Sequence, residues 1–278
     1  MNRIDVGGHP VHYVRAGRGE PIVFLHNGGS SHRIWTSQIE HFSKTHDVLA
    51  LDLLGFGSSA KPHTDYTLPL YIEMLRDFVR QLDLNRITLV GNCMGSATAL
   101  HYAMRHPEHV RCVVGVNVLS RATVLAGYAG ALVRLAMRSP RAARVIGALP
   151  ATGAMAKAIV AVQVKERIPP EILTHLRDRY RDPHQLRVLM SVAANMDDFA
   201  ALDDVRGLPP GLRVLVLWGE DNRILPAKAG RKLCASLNPT RAITVPGGHL
   251  PMLEHPEVVN EAIASFLSPP ITDYAAAP

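Results

Sequence analysis

The stretch Leu89–Ala97, LVGNCMGSA, decides the fold. It follows the apolar run ITLV and leads into SATALHYAM, so it reads as a strand, a tight turn at Asn92-Cys93-Met94 and a helix. Glycines stand two residues before and two after the cysteine, at Gly91 and Gly95. A turn this tight brings strand and helix backbones so close that side chains at those positions would collide. The strain lifts the central side chain to the carboxyl edge of a sheet. A thiol held there, at a helix N-terminus, is expected to be an acidified nucleophile. The competing reading is an inert, buried cysteine. It suits Cys112 in RCVVGV and Cys234 in KLCASL, but a strained elbow has little use without a nucleophile.

Outward from the elbow, short apolar runs alternate with segments of helical period. VHYVRAG, the turn GRGEP and PIVFLH predict a hairpin entering a buried strand. HDVLALDLLG, RITLVG, RCVVGVNVL, RVLVLWG and RAITVPG predict further buried strands. Tyr71–Leu84, SATALHYAMRHPEHV and EVVNEAIASFLS predict helices between or after them. Strands apolar on both faces that alternate with helices imply an α/β fold, a mainly parallel sheet with helices on both faces. The alternation breaks between Val118 and about Leu212, too long for a loop. This divides the chain into a core domain, residues 1–117 and 213–278, and an inserted helical cap or lid, residues 118–212. The lid's small apolar residues either line a roomy cavity over the sheet or pack on it. The tail ITDYAAAP is expected to lack order.

The 278 residues, 47% of them hydrophobic, suffice for a substantial core. No secretory leader or membrane span is expected, and three cysteines at unrelated spacings suggest neither disulfides nor a zinc site. A cytoplasmic enzyme without metal or cofactor is the expectation. Charge is uneven: Arg121–Arg167 holds eight basic residues and one acidic, a net seven positive charges against +6 for the whole chain. Such a field either attracts an anionic partner or is a solvated helical face. No motif for nucleic-acid binding accompanies it.

Five motifs in order resemble those of the α/β-hydrolase family. FLHNGGSS (Phe24–Ser31) resembles its oxyanion loop and DLLGFGSS (Asp52–Ser59) its Asp-x-x-Gly-x-Gly-x-Ser turn. GNCMGS resembles its nucleophile elbow, LWGEDNRILP (Leu217–Pro226) its acid loop, and PGGHLPMLEHPEVVNEAIASFL its histidine loop and last helix. The resemblance implies His249 as the catalytic base among 14 histidines, with His26 structural. It also implies an oxyanion hole of the Met94 and Gly28 backbone N–H groups, with Gly29 the next candidate. The acid loop departs from the family pattern. Gly219 and Pro226 set a register in which the acid position falls on Asn222, one residue after Asp221, and the alternative position holds Asn117. Two readings stay open. Either Asn222 orients His249, giving Cys-His-Asn, or Asp221, Asp197 or Asp198 turns inward.

A cysteine nucleophile with no carboxylate behind its histidine suits a thiolate-imidazolium pair and an acyl-Cys93 intermediate. The expected activity is therefore acyl transfer on a hydrophobic acyl thioester or ester, as a thioesterase, acyltransferase or cyclase. Coenzyme A or an acyl carrier protein would present the acyl group to the basic segment. Cysteine elbows resemble those of polyhydroxyalkanoate synthases and dienelactone hydrolases. The alternative is hydrolysis of a C–C bond or carboxylic ester, since the elbow also resembles the Gly-Asn-Ser-Met-Gly of ring-fission-product C–C hydrolases. A lyase or a ligand-binding member of the fold is the third reading.

Overall fold

The computed structural model describes residues 1–268; the tail ITDYAAAP lies outside them. Eight strands form one sheet: β1 Asn2–Val6, β2 His9–Ala16, β3 Pro21–Leu25, β4 Asp47–Leu51, β5 Ile87–Asn92, β6 Val110–Val116, β7 Arg213–Gly219 and β8 Arg241–Val245. Their order is β1-β2-β4-β3-β5-β6-β7-β8. β2 runs antiparallel to β1 and β4, and every other pairing is parallel. The hairpin expected between VHYVRAG and PIVFLH does not form, because β4 lies between β2 and β3. The hairpin is instead β1–β2, with Val6 paired to His9 across Gly7-Gly8. Both glycines have positive φ, 58° and 81°, as a two-residue turn matched to strand twist requires.

The period of two along the central strands builds a core on each face. Val23, Leu25, Leu49, Leu51, Leu89 and Val113 point to one side, where Leu75, Phe78 and Leu100 from flanking helices meet them. Ile22, Phe24, Val48, Ala50, Val90 and Val114 point to the other, against Trp35, Phe42, Ile263 and Phe266. Buried on both faces, β3, β4 and β5 read as continuous apolar runs.

No strand interrupts the chain between β6 and β7. Helices Arg121–Leu125, Gly130–Arg138, Pro140–Gly147, Gly153–Gln163, Pro170–Arg179, Pro183–Ala194 and Ala201–Asp204 fill it. Pro140, Pro170 and Pro183 each open a helix, where a missing N–H costs nothing. Ser139, Thr152 and Asp182 cap the helices that follow them. Small residues of this segment pack: Ala136 and Ala143 join the cluster of Phe199 and Met190, and Ala156 joins that of Ile172 and Leu176.

The elbow is the tightest point of the frame. A Cβ on Gly91 would overlap the backbone of Gly95 and Ser96, and one on Gly95 would overlap the backbone of Leu25 and His26. Since backbone cannot yield as a flexible side chain does, Gly95→Ala should destabilise the fold by about 3 kcal/mol. Urea denaturation at neutral pH checks this, and the loss should exceed that for Gly207→Ala, where a Cβ meets nothing within 4 Å and only the φ of 87° opposes a side chain.

Candidate active site

β5 ends at Asn92, and Cys93 takes φ 53° and ψ −111° before the helix Met94–Arg105 begins. A non-glycine residue in this region is strained, and the surroundings must hold it there. Cys93 N–H donates to Val116 O at 2.9 Å, and Cys93 O accepts from Ala97 N–H at 3.1 Å. Cys93 is buried, 8% exposed as a residue.

The histidine loop is fastened to this elbow. His249 follows β8 by way of Gly247-Gly248, is 2% exposed, and donates its backbone N–H to Gln163 O at 2.8 Å. Its backbone carbonyl accepts from Asn117 Nδ2 at 3.1 Å and Asn92 Nδ2 at 3.3 Å. Asn117 also accepts from Gly219 N–H at 2.9 Å, so it ties β6, β7 and the histidine loop together. It serves as a staple of backbone and not as an orienter of the imidazole.

The imidazole is oriented by Asn222. Asn222 Oδ1 accepts from the backbone N–H groups of Ile224 (3.0 Å) and Leu225 (2.9 Å), which identifies that atom as the amide oxygen. His249 Nδ1 lies 3.2 Å from the same oxygen and must therefore donate to it. A neutral ring protonated at Nδ1 carries its free lone pair at Nε2. Asp221 does not turn inward: its side chain is 47% exposed and pairs with Lys165 Nζ at 2.8 Å. Asp197 pairs with Arg121 at 2.7 Å, and Asp198 accepts from Leu68 N–H at 3.3 Å. Neither contacts His249.

Electrostatics correct the expected ion pair. Burial pushes the Cys93 thiol up to about 12, although a hydrogen bond from the Met94 backbone pulls the other way. Burial pushes His249 down to about 3. Near pH 7 the two groups are a neutral thiol and a neutral imidazole. The helix N-terminus beneath the sulfur does not outweigh desolvation.

The oxyanion loop follows β3. His26 is structural, as expected: its Nδ1 donates to Asn27 O (2.7 Å) and its Nε2 accepts from Leu53 N–H (2.9 Å). Burial holds it down at about 4, so it stays neutral. Gly28 and Gly29 run beneath Tyr180, whose hydroxyl approaches Gly28 O at 3.4 Å and would overlap a Cβ on Gly29. Burial pushes this phenol well up, against the hydrogen bond from Gln163, and a thiolate at Cys93 would push it further.

Sequence reasoning missed the ties between this loop and the helical segment. Gln163 donates from Nε2 to Tyr180 Oη at 2.8 Å, and its Oε1 accepts from Asn27 Nδ2 at 3.1 Å. Buried Glu254 accepts backbone N–H groups of Lys165 (2.7 Å), Glu166 (2.7 Å) and Gly248 (2.8 Å). One carboxylate thus joins the helical segment to the residue before His249. The available signals were faint: Gln163 is one polar residue closing an Ala/Val-rich helix, and Tyr180 one aromatic within the charged RDRYRD.

A family model described as alpha/beta hydrolase fold matches residues 20–144. A solved alpha/beta hydrolase fold protein from Burkholderia ambifaria aligns with TM-score 0.81 at 24% identity, over 95% of this chain and 97% of that one. The chain has the α/β-hydrolase fold. Within the α/β-hydrolase fold it is 27% identical, over 95% of its length and 90% of the relative's, to 2-hydroxy-6-oxo-6-(2'-aminophenyl)hexa-2,4-dienoic acid hydrolase from Metapseudomonas resinovorans. It is also 27% identical, over 96% and 90%, to a haloalkane dehalogenase from Mesorhizobium japonicum. One α/β-hydrolase scaffold thus carries relatives of differing chemistry, as expected where site residues and not the fold choose the reaction.

A neutral resting pair sets the pH response of Cys93. Its alkylation by iodoacetamide should rise steadily from about pH 6 to about pH 10, and at pH 7 run at least about a hundredfold slower than that of a free thiol of pKa ~8.5. Labelling rates read by intact mass check this; a plateau below neutrality would mean a thiolate-imidazolium pair.

Proposed function

We propose that the protein hydrolyses a carboxylic ester, or a carbon–carbon bond beside a carbonyl, through an acyl-Cys93 intermediate. The observation that carries this reading is the orientation of His249, whose Nδ1–H is held by Asn222 Oδ1, leaving Nε2 as the base. Full-length similarity to a named dienoic acid hydrolase adds support, and it moves hydrolysis ahead of the acyl transfer that the cysteine alone suggested.

Attack would run as a proton transfer coupled to bond formation. Cys93 Sγ bonds to the carbonyl carbon while its proton passes to His249 Nε2. The carbonyl oxygen becomes an oxyanion facing the Met94 and Gly28 N–H groups, donors of a kind each worth about 3 kcal/mol in such reactions. His249 then returns the proton to the departing alkoxide or enolate, and the carbonyl re-forms as a thioester. In the second half, water gives a proton to Nε2 and attacks that thioester. The acid leaves, and the proton returns to Sγ. Asn222 stabilises the intermediate imidazolium by a dipole and not by a full charge, which slows both halves relative to a carboxylate.

The segment 118–212 acts in this reading as a lid. Tyr180 and Gln163 tie it to the oxyanion loop and Glu254 ties residues 165–166 to the histidine loop, so in this reading substrate enters when these contacts part.

Acyl transfer remains the second reading because Asn222 occupies the acid position, which favours a stronger acceptor than water. Incubation with a p-nitrophenyl ester and with a 2-hydroxy-6-oxo-dienoate, followed by product analysis and intact mass, tests both. Hydrolysis predicts release of free acid, at least about a thousandfold lower turnover for Cys93→Ala and His249→Ala, and no lasting adduct. A stable adduct discharged only by an added amine or alcohol would replace hydrolysis with transfer. Undiminished turnover in Cys93→Ala would remove the cysteine from the mechanism.

A further inference from the structure

Helices Gly130–Arg138 and Pro140–Gly147 contribute no residue to the candidate site. Both pack on helix Pro183–Ala194 and on each other, and each leaves a face exposed. The contact is close: a Cβ on Gly147 would come 3.0 Å from Arg187 Cα. Val133, Ala136 and Ala143 point inward.

The outward faces are not ordinary solvated surface. Leu132 and Leu135 are three residues apart and exposed, as are Val145 (66%) and Leu149 (52%), four apart. Tyr128, at the entry to the first helix, is 77% exposed. Beside this apolar stripe runs a basic one, Arg134 and Arg138 on the first helix and Arg141 and Arg144 on the second, all exposed. Among the described residues, none of these four arginines forms a salt bridge, and no Asp or Glu occurs between Arg121 and Lys165. Arg134 donates to the backbone carbonyl of Leu125 at 2.8 Å.

Adjacent apolar and arginine stripes repeated on two neighbouring helices match the headgroup boundary of an anionic bilayer. There aliphatic side chains enter the acyl region while guanidinium groups stay with phosphates. An acidic protein would also satisfy the arginines, but aliphatic and guanidinium groups running as parallel stripes along two helices match the layering of acyl chains and phosphates at a headgroup boundary. We propose that this face docks the protein peripherally on a membrane rich in anionic lipid. No helix among the described residues is long and apolar enough to cross a membrane, so the contact is a surface one.

The test is co-sedimentation of the full chain with phosphatidylglycerol vesicles and with phosphatidylcholine vesicles, at low and high salt. Binding to the former alone, weakened by salt, is expected. Arg138→Glu/Arg141→Glu/Arg144→Glu should lower the partition coefficient at least about a hundredfold. Leu135→Ser/Val145→Ser/Leu149→Ser should lower it about tenfold or more. All six positions are exposed, so thermal unfolding should match the parent protein. Absence of binding, or binding unchanged in either variant, would overturn the proposal. It would equally be overturned if the apolar variant abolished self-association of the parent protein, or if an acidic carrier protein bound this face where vesicles did not.

Discussion

The amide of Asn222 is the fixed point of the site. Two backbone N–H groups, of Ile224 and Leu225, hold its oxygen in place, and that oxygen selects the tautomer of His249. The histidine's other attachments are to backbone: Gln163 on one side, Asn92 and Asn117 on the other. Ring and main chain are thus positioned by different groups. The end of β5 and the residue after β6 meet at the His249 carbonyl, and the end of β7 is tied to them through Asn117.

An aspartate at the same place would add a negative charge to a buried ring, whereas an amide leaves the site neutral. Raising a thiol from 9 to about 12 corresponds to roughly 4 kcal/mol against ionisation, more than a helix N-terminus returns. Desolvation therefore wins, and the cysteine rests protonated. This shifts the comparison with thiol enzymes that keep an ion pair ready. In the proposed reaction the proton leaves only as the new bond forms, which is how a hydroxyl nucleophile operates. A cysteine in an elbow need not imply an acidic thiol.

The strands β3 to β8 and the elbow were legible because each depends on short-range pattern: apolar runs, glycine spacing and helix periodicity. β1 was not, since NRIDV is too short and too polar to announce a strand, and its pairing is set by the Gly7-Gly8 turn. The β2–β3 hairpin failed because sequence proximity suggested pairing where β4 intervenes. At the candidate site, motif register singled out Cys93, His249 and Asn222, and the structure brings the last two within hydrogen-bond reach. Gln163, Tyr180 and Glu254 were not, because they act through contacts that only packing creates, across 88 and 89 positions of chain in the case of Glu254 and residues 166 and 165. The acidity of the thiol was misjudged for the same reason, since burial is a tertiary property.

The most direct measurement is 15N NMR of the His249 ring across neutral and mildly acidic pH, with His249→Gln to assign the signals. A neutral site requires a protonated Nδ1 and an unprotonated Nε2, unchanged from about pH 8 down to about pH 5, below the ordinary histidine value of ~6.5. An imidazolium at neutral pH, or a ring protonated at Nε2, would contradict both the neutral pair and the part assigned to Asn222.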